Sequence, residues 1–270
     1  MRKTGLIIGA AALALTACDP GPGSAPSSAP ATLTAPVTDV AQLVAAARAG
    51  IGEAPSAVFT TAAVFGSTTK DVTGSLSFDG STSSLTVVVD GAELRVIGKK
   101  TFTHAPAGVP GKEWVGTDPD SADPIAQAAG AAVPVIAKLP DLGRALVEIE
   151  RTGRIVSAEQ ARLGDLPVNH YRLELDTAKA PDLFLEFAEP PMDNRPAKPV
   201  TAKLPAELWL DAARRPARFT IDMSSGFPQG ALTPATGTTD YRDWGRPVDI
   251  QPPPADQVVD LSELMKKMGT

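Results

Sequence analysis

Alternation of apolar and polar residues between Val72 and Val96 constrains the fold of this chain more than any other feature. Apolar side chains recur at almost every second position, and the run is cut by Asp79-Gly80 and again by Asp90-Gly91. Period two places alternate side chains on opposite faces of a strand, and Asp-Gly between such runs is a strong hairpin signal. Together with Ala57–Phe65, the pattern predicts an antiparallel meander with one apolar and one wet face.

More strands are predicted after the meander, on both sides of a helical middle. They are Thr101–His104, Ile155–Arg162, Val168–Asp176, Glu207–Asp211, Ala217–Met223 and Thr238–Tyr241. Helices are predicted at Asp39–Ala47, ended by Gly50 and Gly52, at Pro124–Lys138, interrupted at Pro134, at Leu142–Glu150 and at Asp256–Lys267. Strands in runs with helices grouped between them predict an α+β domain, a large antiparallel β-sheet with helices covering one face.

The N-terminus carries the features of a lipoprotein signal. Arg2 and Lys3 precede the apolar stretch Leu6–Leu15, which is too short to span a bilayer, since about 20 apolar residues are needed. The stretch ends in Leu15-Thr16-Ala17-Cys18, which resembles a bacterial lipobox and implies acyl chains such as palmitate on Cys18, with cleavage before it. The alternative is an ordinary signal peptide, which would leave a lone thiol in an oxidising compartment.

These features predict three segments. Residues 1–17 form the signal peptide, residues 18–38 form the lipidated cysteine and a disordered Pro/Ser/Ala-rich tether, and residues 39–270 form a single domain. The predicted location is extracytoplasmic, anchored to the outer face of the cell membrane by a lipid on Cys18. The Pro-rich segment Glu189–Pro199 is interpreted as a surface loop within the domain.

Composition excludes some classes of function. The net charge is −6 and becomes more negative when Arg2 and Lys3 leave with the signal, so nucleic acid is not an expected partner. Cys18 is the single cysteine, so no disulfide within the chain can stabilise the domain. Its stability is expected to come from an apolar core.

No pattern in the sequence predicts catalysis. His104 and His170 lie in predicted strands without an HExxH motif or a cysteine pair, and no G-x-S-x-G elbow is present. Ser67-Thr68-Thr69-Lys70 matches S-x-x-K, but it falls in a predicted hairpin turn and lacks the accompanying motifs. The sequence therefore predicts a protein that is not an enzyme, with no catalytic residue, metal site or cofactor.

Three stretches are similar to a known family. They are Val72–Leu76, Leu204–Asp211 and Tyr241–Ile250, the last followed by Pro252–Pro254. In order and spacing they resemble the LppX/LprAFG-type lipoproteins of actinobacteria. The resemblance implies a curved, half-barrel sheet of the LolA/LolB-like type, with a hydrophobic cavity between sheet and helices. It also implies that a lipid or glycolipid is bound there and carried across or within the cell envelope.

The residues themselves leave two interpretations of the apolar strand face open, because periodicity does not separate a packed core from a cavity. In the first, a lipid or glycolipid is the ligand, the membrane is reached through the anchor, and a membrane transporter is a further candidate partner. The candidate lining residues are Leu76, Phe78, Leu85, Val87, Leu94, Val96, Val133, Ile136, Leu173, Leu210, Phe219 and Ile221. In the second, the core is filled and the domain is a membrane-tethered interaction module that docks on an envelope or membrane protein.

Overall fold

A twelve-stranded sheet dominates the part of the chain that the computed structural model describes, which is residues 32–80, 82–105, 109–121, 135–187, 201–226 and 235–268. The strands are β1 Ser56–Phe65, β2 Thr68–Asp79, β3 Thr82–Val89, β4 Ala92–Ile97, β5 Lys100–His104, β6 Trp114–Thr117, β7 Gly153–Leu163, β8 Leu166–Asp176, β9 Lys203–Leu210, β10 Pro216–Asp222, β11 Thr236–Arg242 and β12 Val258–Asp260. Their order is β12-β6-β5-β4-β3-β2-β1-β11-β10-β9-β8-β7. The sheet is curved and does not close on itself.

Most of the sheet consists of antiparallel hairpins, as the alternating pattern predicts. β1 to β6 form one meander and β7 to β11 another, and the two meet where β1 pairs antiparallel with β11. Only β12 departs from the pattern, since it pairs parallel with β6. The predicted fold class, a large curved antiparallel sheet with helices on one face, is confirmed.

The α-helices in the described residues are α1 Val40–Glu53, α2 Val135–Lys138, α3 Leu142–Thr152 and α4 Leu261–Met268, and 3-10 helices lie at Thr177–Lys179, Pro181–Phe187 and Ala255–Gln257. Asp39 caps α1 by accepting a hydrogen bond from the Gln42 amide at 3.0 Å. The prediction that Gly50 and Gly52 end this helix is wrong, because α1 continues through both of them to Glu53. Gly50 is instead a packing position, since a Cβ there would lie 2.6 Å from the carbonyl oxygen of Ala213.

The C-terminal prediction is also partly wrong. Instead of one helix over Asp256–Lys267, the chain makes a short 3-10 turn at Ala255–Gln257, then β12, and only then α4. The Glu113 amide donates to the Gln257 carbonyl at 3.0 Å, so backbone pairing with β6 takes the place of the first helical turn.

Several predicted segments lie outside the described residues. They are the signal peptide, the first part of the tether with Cys18, the predicted helix before Val135 and the loop Glu189–Pro199. The domain's contacts begin earlier than the sequence predicts, because Thr34 and Val37 already hydrogen bond to side chains of β7 and β8.

One face of the sheet, called the inner face below, carries the hydrophobic core. Leu43, Val44 and Ile51 of α1 and Leu142, Leu146 and Ile149 of α3 cover it. Side chains from β1 to β4 and from β8 to β11 complete the cluster. The opposite face is polar, as in the bidentate ion pair of Arg218 with Asp240, at 2.6 and 2.8 Å.

Candidate functional site

The candidate lining residues all lie in or against this core, except Val133, which is outside the described residues. Leu76, Leu85, Val87, Leu94, Leu173, Leu210, Phe219 and Ile221 are at most 7 % exposed, and Phe78, Val96 and Ile136 are partly buried against them. The structure therefore brings these side chains together on the inner face. It places them in a packed core, with α1 and α3 resting on the sheet.

The corner between α2 and α3 is fixed on the inner face by small and polar contacts. Tyr241 donates from its hydroxyl group to the Pro140 carbonyl at 3.2 Å. Leu139 sits against Gly237 of β11, where a Cβ would lie 2.8 Å from a methyl carbon of the leucine. The Gly143 amide donates to the Ser83 hydroxyl at 3.3 Å. The start of α3 is thus held by hydrogen bonds as well as by the apolar contacts of Leu139 and Leu142.

A cleft opens beside this corner, between α3 and β10. Its apolar lining is Leu139, Ala145, Phe219 and Ile221, and its charged lining is Lys138, Asp141, Arg144 and Glu148. The cavity has a volume of about 10 Å³, which is what one water molecule requires. In this structure the cleft is too small for an acyl chain, so a lipid would need α3 to move away from β10.

An ion pair is buried in the wall of the cleft. The Arg144 guanidinium lies 2.6 Å from the carboxylate of Glu148, one helical turn later, and also donates to the Leu183 carbonyl at 3.4 Å. Glu148 is only 3 % exposed. Both partners belong to α3, so the pair does not attach the helix to the sheet, and replacing a buried ion pair by apolar side chains is often neutral or stabilising.

Asp141 adds a third ionisable group at the N-terminus of α3. Its carboxylate caps the helix by accepting from the Arg144 amide at 3.2 Å, and the Ser83 hydroxyl also bonds to it. Removal of this carboxyl group from water raises its pKa above the ordinary value of 3.8, and the hydrogen bonds only partly oppose that effect. Burial raises the pKa of the neighbouring Tyr241 as well. Polar groups thus lie under the helix where an ordinary core is apolar.

The two histidines lie apart from this cleft. His170 stacks on Trp209 with ring centroids 4.4 Å apart, and its Nε2 lies 3.0 Å from a Glu207 carboxylate oxygen. His104 contacts Trp114 at the end of β5. In the described residues, no group of three or more His, Cys, Asp or Glu side chains is placed to hold a metal ion. Ser67 and Lys70 flank the start of β2, where Lys70 pairs with Asp90 at 2.8 Å.

The charged side of the cleft is not evident from the sequence. The helical spacing of Leu142, Leu146 and Ile149 predicts an apolar face of α3, and all three are buried. The signal for a wider buried face was Ala145, a small residue three positions before Glu148.

Comparison with known proteins gives a likeness of fold. No protein-family model matches the sequence, and no curated protein matches it. Among solved structures, LprF from Mycobacterium bovis aligns with a TM-score of 0.43 and 15 % identity, over 82 % of this chain and 99 % of its own. The chain is similar to LprF. The resemblance that the sequence predicts is confirmed in this sense, since a protein of that type is among its structural neighbours.

Two further structures are similar. An uncharacterised conserved protein from Thermus thermophilus aligns with a TM-score of 0.40 and 10 % identity, over 82 % of this chain and 99 % of its own. A domain described as of the outer membrane lipoprotein-sorting type, from Vibrio parahaemolyticus, aligns with a TM-score of 0.33 and 9 % identity, over 85 % and 99 %. With TM-scores below 0.5, these likenesses assign no ligand to this chain. In the described residues, no helix is both long and apolar enough to cross a membrane.

Proposed function

We propose that the mature protein is a cell-envelope lipoprotein, held at the outer face of the membrane by a lipid on Cys18, whose domain takes up an acyl chain of a lipid or glycolipid. The chain enters between α3 and the inner face of the sheet. The observation that carries this proposal is the cleft at β10, with its apolar floor of Phe219 and Ile221 and the buried charges of α3 above it.

The polar groups of α3 beside the cleft support the proposal that this helix moves away from the sheet. The side of α3 over the cleft carries the Arg144–Glu148 ion pair, and the start of the helix is bonded to Tyr241 through the Pro140 carbonyl and to Ser83 through the Gly143 amide. These polar groups regain hydrogen bonds with water when the helix moves outward, so its displacement costs less than the exposure of a wholly apolar interface. The apolar floor that is exposed would then be covered by an acyl chain, at a gain of about 25 cal/mol per Å².

The alternative proposal, a filled-core module that docks on a protein partner, has an observation in its favour. The candidate lining residues are already packed against one another and against α1. A domain of this kind needs no ligand for stability. The two proposals differ in whether α3 moves away from β10 when lipid is added.

Mass spectrometry of the mature protein purified under native conditions tests the proposal. Lipid that co-purifies, or that is taken up from vesicles in a fixed ratio of one molecule to one chain, is the expected result. Ile221→Trp should fill the cleft and abolish uptake, whereas Leu43→Ala, in the part of the core under α1, should lower stability and leave uptake intact. Chains that neither carry nor accept lipid under any of these conditions would favour the docking module.

A further inference from the structure

The segment that precedes α1 is fixed on one particular hairpin of the sheet. The Thr34 carbonyl accepts hydrogen bonds from Gln160 Nε2 and from Asn169 Nδ2, each at 3.1 Å. These two residues face each other across β7 and β8. The Val37 amide then donates to the Tyr171 hydroxyl at 3.2 Å. The N-terminal segment therefore joins the domain beside the turn that connects β7 and β8.

That turn carries exposed apolar side chains. Leu163 and Leu166 pair across Gly164-Asp165; Leu166 is 43 % exposed, Leu163 is partly exposed, and Pro167 is exposed. Arg162 donates to the Asp165 carbonyl at 2.6 Å and lies 3.6 Å from its carboxylate. The charges at this turn pair with each other, and the leucines are left facing solvent. Residues 162–167 are called the β7–β8 tip below.

The length of chain before Thr34 sets how far this tip lies from the anchor. Fifteen residues separate Cys18 from Thr34 in the sequence. A chain of that length spans at most about 55 Å. The surfaces beside Thr34 are therefore within reach of a membrane that holds the proposed anchor on Cys18.

We propose that the β7–β8 tip is the surface through which the anchored domain contacts the lipid bilayer, with Leu163 and Leu166 in the interfacial region. Apolar side chains gain free energy when they leave water for the headgroup and acyl boundary, and a second weak contact adds to an anchor through effective concentration. The proposal rests on the lipid anchor of the proposed function. It fixes which edge of the sheet faces the membrane.

The lone cysteine allows a test in which the anchor is supplied chemically. The mature chain is coupled through Cys18 to a maleimide lipid in vesicles of phosphatidylcholine and phosphatidylglycerol that contain a brominated lipid. Leu166→Trp places a fluorophore at the tip. Val88→Trp is the matched control, because Val88 is 36 % exposed on β3, which five strands separate from β8. The emission of the parent chain, with Trp114, Trp209 and Trp244, is the baseline.

We expect the added emission of Leu166→Trp to fall at least twofold with brominated lipid, and that of Val88→Trp to stay unchanged. A second variant, Leu166→Trp with Gln160→Ala and Asn169→Ala, releases Thr34 from the hairpin and should lose most of this quenching. Circular dichroism and thermal melting show whether each variant is folded. If the Leu166→Trp variant is too unstable to study, protection of the tip amides of the parent chain from hydrogen exchange on addition of vesicles replaces it.

Equal quenching at both positions, or none at either, would overturn the proposal. So would sedimentation showing that the unanchored chain is a dimer that Leu166→Asp converts to a monomer, because a second copy would then cover the tip. Chemical coupling makes these outcomes independent of lipidation in the cell. Failure of the anchor itself is measured separately, by the partitioning of the Cys18 variant described below.

Discussion

The carboxylate of Glu148, a residue only 3 % exposed, lies 2.6 Å from the guanidinium of Arg144 inside the wall of the α3–β10 cleft. An ion pair in this place gives a direct way to separate the two proposed functions. If α3 is a permanent part of a filled core, an apolar pair should serve it equally well. If α3 must move, the charged pair lowers the free-energy cost of exposing this side of the helix to water.

Arg144→Met alone should destabilise the domain by about 3 kcal/mol, since it removes the closest partner of a buried carboxylate. Arg144→Met combined with Glu148→Leu should return the free energy of unfolding to within about 1 kcal/mol of the parent, or above it. Urea denaturation measures both. The double variant should also take up less lipid, because an apolar helix holds more firmly to Phe219 and Ile221. Undiminished uptake by a stabilised double variant would contradict the proposed movement of α3.

Asp141→Asn should stabilise the domain at neutral pH and have no effect in acid. The pKa of this carboxyl group is raised in the folded state, so the folded protein holds the proton more tightly than the unfolded chain. The stabilisation that this tighter proton binding gives is complete below the ordinary pKa of 3.8. It is lost as the pH rises through the raised pKa. Asparagine keeps the helix cap without a charge to desolvate. Melting temperatures from pH 3 to pH 8 check this, and Asp141→Ala, which loses the cap, should be less stable at every pH.

Gly50→Ala should destabilise the domain, whereas Gly52→Ala should stabilise it. Both glycines lie inside α1, where alanine is favoured over glycine by about 1 kcal/mol. A Cβ at position 50 would meet the backbone of Ala213 and Arg214 at 2.6 Å, and a Cβ at position 52 would meet nothing within 4 Å. Thermal melting of the two single variants is the measurement. Similar shifts in the same direction would show that α1 does not pack on the β9–β10 turn as closely as described.

Cys18→Ser should move the protein from the detergent phase to the aqueous phase in Triton X-114 partitioning. The substitution removes the thiol on which the lipid would be built, and a multi-chain anchor contributes about 0.8 kcal/mol for each buried CH₂. The apparent mass of the variant shows whether its signal peptide is still cleaved. Equal partitioning of parent and variant would exclude Cys18 as the anchor.

Short-range sequence patterns, namely turn residues and the alternation of apolar and polar side chains, predicted most of the sheet. Asp90 and Gly91 both have positive φ, at 51° and 81°, as a two-residue hairpin turn between β3 and β4 requires, and Asp-Gly is the sequence that tolerates it. The alternation around these turns then sets the register, because a slip of one residue would turn the apolar face outward.

Other features depend on parts of the chain that are distant in sequence. β12 follows Gln257, yet its partner β6 begins at Trp114, and three residues carry too little pattern to reveal such a pairing. From the sequence alone, Gly50 is interpreted as a helix end. The β9–β10 turn that lies beside it in the fold is what explains the glycine. The charged wall of the cleft is hidden for the same reason, since an Arg-x-x-x-Glu spacing within a helix usually marks a solvated face.

The pairing of β1 with β11 has a consequence for how the domain is made. Phe59 lies opposite Tyr241, and the buried Thr61 and Thr239 hydroxyl groups bond at 2.8 Å, although β11 is the last strand but one to be synthesised. The hairpins on either side can form early, but joining them requires closure of a loop that spans most of the domain, which is slow. A nascent chain that ends before Thr236 therefore exposes two unpaired strand edges, at β1 and at β10, which favour aggregation until β1 pairs with β11.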